Sequence, residues 1–147
     1  MFASPRALEN LTSSTTFAEG IGERFTDIEA PPAWYLVLVP PVSVPTQEIF
    51  RSPLLRRDTP AILPTDWRAG YGANDLEPVA CKLYPVVAKA LDWLRSFGDA
   101  RMSGSGSCCF VELSGEAAAQ QAIGQIPAGM TGFIARGLDC HPLVNLT

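Results

Sequence analysis

The run Trp34-Tyr35-Leu36-Val37-Leu38-Val39, closed by Pro40-Pro41, constrains the fold of this chain more than any other segment. It is continuously apolar and rich in β-favouring side chains, and two prolines end it. It therefore reads as a strand buried in a sheet. The elements downstream of it decide which kind of sheet.

Val44-Pro45-Thr46-Gln47-Glu48-Ile49-Phe50 reads as a short helix, with Pro45 in the first turn where its missing N–H costs nothing. Residues 51 to 73, with three prolines and two glycines, read as a long surface loop. Asn74-Asp75-Leu76-Glu77 has the spacing of a capping box, so a helix is expected to start there. Pro85 predicts a kink or a restart. Val87, Leu91 and Leu94 then share a helical face, with Val86, Ala90, Trp93 and Phe97 beside them and Gly98 as the C′ residue.

Arg101-Met102, the turn Ser103-Gly104-Ser105-Gly106-Ser107, and the stretch to Leu113 read as strand, turn, strand. Ser114 is expected to cap a helix over Glu116 to Ile123, stopped near Gly124 and Pro127, and Gly132 to Arg136 forms a last strand. Upstream, Phe17 to Glu29 fits a turn plus one strand. Residues 1 to 16 read as a disordered or adventitious tail. From Trp34 onward the order is strand, helix, strand, strand, helix, strand. That is a split βαβ, or ferredoxin-like, α+β fold: an antiparallel sheet with helices on one face.

The bulk numbers bound the function. A length of 147 residues with 47% apolar and 18% charged residues suits one folded domain. A net charge of −4 and no basic stripe argue against nucleic acid as a partner. A small anion stays possible, because backbone N–H groups hold phosphate without net positive charge. No apolar run reaches the roughly 20 residues that cross a bilayer, so no membrane partner is expected. The start, Met1-Phe2-Ala3-Ser4-Pro5-Arg6, lacks the pattern of a signal peptide. With Cys81, Cys108, Cys109 and Cys140 read as thiols, a cytoplasmic, reduced setting is expected.

The turn at 103–107 is the first candidate site. Gly104 and Gly106 permit positive φ and keep side chains away from a ligand, while Ser103, Ser105 and Ser107 add hydroxyls. Successive N–H groups in such a turn can nest an anion, and a plain hairpin loop has the same composition. It is neither a Walker loop nor a dinucleotide fingerprint, since Gly-Lys-Ser/Thr and the immediate helix are both missing. Thr46 either donates to a ligand or caps its helix. Phe50 either offers a face to a base or fills the core. Asp75 and Glu77 are explained by cap spacing rather than as an acid–base pair. Cys108 and Cys109 are adjacent on a strand and so point to opposite faces. Cys140-His141 has no second ligand pair at zinc spacing. No metal site and no catalytic residue is assigned.

Together these segments resemble the GHMP small-molecule kinases in their C-terminal part. The residues that carry the resemblance are Phe17-Ala18-Glu19-Gly20-Ile21-Gly22-Glu23, then Val42-Ser43-Val44-Pro45-Thr46 with Ile49-Phe50. Asn74-Asp75-Leu76-Glu77-Pro78, Arg101 to Cys108, and Gly132-Phe133-Ile134-Ala135-Arg136-Gly137 complete it. Within the family the likeness is to the branch that phosphorylates a hydroxyl of a cytidine-diphosphate-linked sugar alcohol, in non-mevalonate isoprenoid biosynthesis. The resemblance implies ATP and Mg²⁺ as cofactors. It makes Ser103–Ser107 a phosphate and substrate loop, Phe50 the aromatic that stacks on cytosine, and Thr46 a substrate contact. Residues 17–147 become the substrate-side domain, with 17–33 a remnant of the N-terminal domain.

The departures are as informative. The family's ATP-cradling glycine-rich loop and N-terminal lysine motif have no counterpart here. Its catalytic aspartate lies just upstream of the Phe-Ala-Glu-Gly segment, yet residues 1–16 contain no aspartate. Phosphoryl transfer draws on groups from both halves. The chain by itself is therefore expected to lack kinase activity and to bind neither cofactor tightly. It is expected to expose apolar surface where an N-terminal half packs, with self-association as the outcome. A non-catalytic ligand-binding or interaction module on the same fold is the alternative, and another GHMP kinase is a third.

Overall fold

The computed structural model describes residues 15–66 and 72–138. They divide into two compact units, split between Pro32 and Ala33.

The smaller unit contains a hairpin. Strand β1 (Thr16–Glu19) pairs antiparallel with β2 (Arg24–Asp27), Thr16 standing opposite Asp27. Gly20 and Gly22 turn the chain at φ +71° and +91°, which an L side chain would resist. The Glu23 carboxylate accepts a hydrogen bond from the Ile21 N–H at 2.6 Å and fixes the turn. The expectation of one strand here is corrected to two. Ile28 N–H also donates to the Thr15 carbonyl at 3.0 Å, so Thr15 and Thr16 belong to the hairpin rather than to a tail. The rest of that proposed tail, residues 1–14, lies outside the described residues, as do Cys140 and His141. Pro64–Asp66 forms a single 3-10 turn.

The larger unit runs β3 (Trp34–Val39), α1 (Thr46–Arg51), α2 (Glu77–Leu83), α3 (Pro85–Leu94), β4 (Ala100–Met102), β5 (Cys109–Leu113), α4 (Glu116–Ile123) and β6 (Thr131–Arg136). Its sheet has the order β4-β5-β3-β6 with every neighbouring pair antiparallel. This is the ferredoxin-like arrangement expected from the order of elements. In the register of β3, Leu36 stands opposite both Val111 and Ile134. Alternation then puts Leu36, Leu38, Cys109, Val111, Ala100 and Met102 on one face, all buried. They pack with Val79, Ala80, Val87, Ala90, Leu91 and Leu94 of α2 and α3, and with Ala122 of α4. Burying each of the larger side chains contributes about 1.5–3 kcal/mol. Among the described residues the other face carries no helix-packed core: Tyr35, Val37 and Phe110 are half-buried and Phe133 is exposed. Tyr35 and Phe110 meet edge to face there, centroids 6.0 Å apart. Burial, and then the Glu112 carboxylate, raise the Tyr35 phenol above its ordinary pKa.

Pro85 produces a restart. α2 ends at Leu83, Tyr84 leaves helical geometry at φ −127°, ψ 82°, and α3 begins at Pro85. The residue before proline is pushed out of the helical region, and proline then suits the first turn of the next helix. The Tyr84 hydroxyl donates to the Glu48 carboxylate of α1.

Three terminal assignments are corrected. α3 stops at Leu94, because Ser96 and Phe97 tighten into bonds to Trp93 and Leu94. Gly98 therefore lies beyond the helix end. A Cβ there would sit 3.2 Å from Val111, which gives the glycine a packing reason instead. Ser114 does not cap α4: Gly115 holds the N-cap position and no side chain bonds the first turn. Finally, Asn74 to Glu77 is not a capping box. Leu76 is the N-cap of α2, and both polar side chains are engaged elsewhere.

Candidate functional site around the 103–107 turn

The turn joins β4 to β5. Ser103 N–H donates to the Cys108 carbonyl at 2.9 Å, closing the hairpin, and Gly106 N–H donates to the Ser103 carbonyl at 3.0 Å. Gly104 and Gly106 have φ of +56° and +98°. At Gly106 the positive φ favours glycine, and a Cβ would lie 3.0 Å from Met102 Sδ, which would have to give way. At Gly104 a Cβ would meet nothing within 4 Å. Among the described residues, no protein group accepts a hydrogen bond from the N–H of Gly104 or Ser105. Two consecutive donors without a protein acceptor on a glycine-bent turn are what an anion nest needs.

Helix α1 lies beside the turn. Thr46 Oγ1 and Ser105 Oγ are 2.8 Å apart, joined by a hydrogen bond. Thr46 thus does not cap its helix, since Pro45 holds that position. Phe50 sits one turn further on, at the i+4 position that shares the face of Thr46. It is 50% exposed, while its neighbour Ile49 is fully buried. The core is filled by Ile49, and the alternative of Phe50 as a core residue is corrected. Arg57 donates to the Phe50 carbonyl, and Thr59 Oγ1 to Asp75 at 2.9 Å, which tie the loop after α1 to the same region. On the other flank of α1, Gln47, Glu48, Arg51, Pro53 and Leu83 line a depression of about 540 Å³; no residue of the turn lines it.

The start of α2 supplies two groups that sequence reasoning missed. Asn74 Nδ2 donates to the carbonyls of Met102, at 2.9 Å, and Gly104, at 2.8 Å. Its Oδ1 accepts from the Leu76 N–H at 3.0 Å. Glu77 accepts from the Met102 N–H at 3.0 Å and pairs with Arg95 at 3.1 Å. Between them they satisfy the outward N–H and C=O of Met102 at the end of edge strand β4, groups that an edge otherwise leaves open. Asp75 and Glu77 thus have structural partners, and neither forms an acid–base pair. The capping-box spacing hid this role, because local pattern cannot show a bond to a strand 25 residues away.

The thiols stand apart. Cys109 opens β5 and is buried, and Cys108 is half-buried; the expectation that both lie on one strand is corrected, since Cys108 stands just before it. Burial above all pushes the Cys109 thiol up to about 12, with Cys81 and Glu77 adding to it. Among the described residues no group of three or more His, Cys, Asp or Glu is placed to hold a metal ion, and no helix is long and apolar enough to cross a membrane.

Residues 66–131 match the family model of the GHMP kinase C-terminal region. The chain is 54% identical over 131 residues to the 4-diphosphocytidyl-2-C-methyl-D-erythritol kinase of Thiobacillus denitrificans, an overlap covering 89% of this chain and 47% of that protein. It is 50% identical over 133 residues to the kinase of the same name from Dechloromonas aromatica, covering 90% of this chain and 48% of that protein. The chain spans about half the length of the curated relatives it matches. A crystal structure of 4-(cytidine 5'-diphospho)-2C-methyl-D-erythritol kinase superposes with a TM-score of 0.69 at 27% identity, over 82% of this chain and 48% of that one. The ferredoxin-like sheet, the glycine-serine turn and these likenesses agree: residues 66–131 carry the GHMP kinase C-terminal domain, and the chain is similar to about half of the kinases it matches.

Proposed function

We propose that this chain is the substrate-side part of an ATP-dependent kinase that phosphorylates 4-diphosphocytidyl-2-C-methyl-D-erythritol at its 2-hydroxyl, in non-mevalonate isoprenoid biosynthesis. The observation that carries the reading is the juxtaposition at the turn: free N–H donors at Gly104 and Ser105, with Thr46 bonded to Ser105 and Phe50 exposed one helical turn away. Ser103, Ser105 and Ser107 add hydroxyls to a loop suited to phosphate oxygens, Thr46 contacts the substrate, and Phe50 stacks on the cytosine.

The reading implies ATP and Mg²⁺. The turn fits the phosphate oxygens of a nucleotide or substrate. Among the described residues no group of three or more His, Cys, Asp or Glu stands together, and no residue is assigned to Mg²⁺. In this reading the metal ligands and the catalytic base come from the other half of such a kinase, and the chain by itself is expected to turn over no substrate. The sheet face without a helical cover supports self-association of the isolated chain, which sedimentation at rising concentration tests.

Calorimetric titration of the chain with cytidine diphosphate, alongside a coupled ATP-turnover assay, tests the proposal. Binding without turnover is expected. No binding of cytidine diphosphate would overturn the substrate-side reading, and turnover by this chain alone would overturn the division of labour.

A further inference from the structure

Asn74 occupies a position that decides where one backbone donor of the turn points. Its amide donates to two carbonyls of the β4 end and the turn, those of Met102 and Gly104. The peptide bonds from these carbonyls into Ser103 and into Ser105 are both trans. In a trans peptide the C=O and the next N–H point in opposite directions. A carbonyl held toward Asn74 therefore sends the next N–H away from it. The first of the two shows the effect: with the Met102 carbonyl on Asn74, the Ser103 N–H points across the hairpin and finds the Cys108 carbonyl at 2.9 Å. The second has the same arrangement, but the Ser105 N–H meets no protein acceptor among the described residues.

We propose that Asn74 is a positioning residue: by gripping the Gly104 carbonyl it aims the Ser105 N–H out of the turn, at the oxygens of a phosphate or pyrophosphate group. The proposal rests on the anion-binding reading of the turn. The grip is needed because Gly104 is a glycine in the left-handed region with open space around it, so its own packing does not hold the peptide plane. Asn74 is itself anchored, since its Oδ1 takes the Leu76 N–H and the start of α2 holds the side chain in place. Glu77 fixes the strand end beside it through the Met102 N–H.

The test uses the ¹⁵N-labelled chain with Asn74→Ser and Asn74→Asp. Both remove the two amide donors, the serine keeping only a hydroxyl on a shorter side chain, and only the second adds charge. Without ligand, the amides of 104–107 are expected to be as ordered as those of β5 in the parent and to loosen on the nanosecond scale in both variants. The amides of α3 and β3 are expected to stay as they are and the melting transition to fall by only a few degrees, whereas a general structural loss would loosen all of these elements. Inorganic pyrophosphate is expected to shift the Ser105 amide of the parent and to bind Asn74→Ser about tenfold more weakly. Folded variants whose turn amides are as ordered as the parent's would overturn the proposal. If neither variant folds, the parent alone decides: a scalar coupling through the hydrogen bond from Asn74 Nδ2 to the Gly104 carbonyl is required, and its absence sinks the grip. A parent turn that is ordered by Asn74 yet ignores pyrophosphate removes the anion reading and leaves the grip standing, so the two failures are told apart.

Discussion

Thr46 and Ser105, 59 residues apart in the chain, share a hydroxyl–hydroxyl hydrogen bond of 2.8 Å that fastens the first turn of α1 to the glycine-serine turn. A double-mutant cycle measures it. Thr46→Val and Ser105→Ala are each expected to cost about 0.5–1.5 kcal/mol in urea unfolding. Because both remove the same bond, the double variant is expected to cost less than the sum of the two. Strict additivity would show that the bond contributes nothing in solution.

Ile49 and Phe50 are adjacent and opposite in role. Ile49→Ala opens a cavity in the core and is expected to cost about 2–5 kcal/mol. Phe50→Ala, on an exposed face, is expected to cost under about 1 kcal/mol. Its effect should appear in ligand affinity instead: loss of base stacking weakens cytidine diphosphate binding by about 1–3 kcal/mol. Chemical denaturation and calorimetry on the same two variants check both halves, and a Phe50→Ala chain that binds as well as the parent would remove the stacking role.

The two glycines of the turn should respond differently to a methyl group. Gly104→Ala faces open space and suffers only from its left-handed backbone, a cost of about 1–2 kcal/mol. Gly106→Ala suffers that and also presses its Cβ to 3.0 Å from Met102 Sδ. Gly106→Ala is expected to be the more destabilising in urea unfolding. An equal cost for the two would mean that Met102 yields freely.

Cys109 should be the inert thiol. Its pKa is pushed up to about 12, from 9.0, chiefly by burial. The neutral thiol is therefore favoured in the folded state, and its contribution to stability is complete below pH 9. Above that the unfolded chain releases the proton first, so this contribution falls as pH rises from about 9 towards 12. Iodoacetamide at pH 8.5 is expected to spare Cys109 in the folded chain and to modify it in urea, with peptide mass mapping as the readout. Rapid modification of the native chain at Cys109 would contradict the burial.

Much of the fold was legible because periodicity and proline are local signals. The strand at Trp34–Val39 and the helix at Glu116–Ile123 have the expected bounds, and Pro85 restarts a helix as its geometry requires. The β1–β2 hairpin was half missed because Arg24–Asp27 is exposed throughout and so carries no inside–outside alternation. Asn74 and Glu77 have the spacing of a capping box, while their partners lie at the end of β4 and at Arg95, just past α3. Phe50 and Ile49 are both apolar neighbours on a short helix, and only packing decides which of them faces the core. The glycine-serine turn stood out from composition, but the residues that brace it did not, since their bonds cross tens of positions in sequence.

α1 has only six residues, and nothing in its own side chains caps its start. A helix so short is unstable in water by itself, because nucleation costs more than its few bonds return. What holds it comes from elsewhere: Ile49 in the core, Tyr84 on Glu48, Ser105 on Thr46 and Arg57 on the Phe50 carbonyl. The face shared by Thr46 and Phe50 is thus a borrowed shape. A peptide of residues 44–52 would be coil, and grafting that segment onto another scaffold would transplant the letters without the surface they make here.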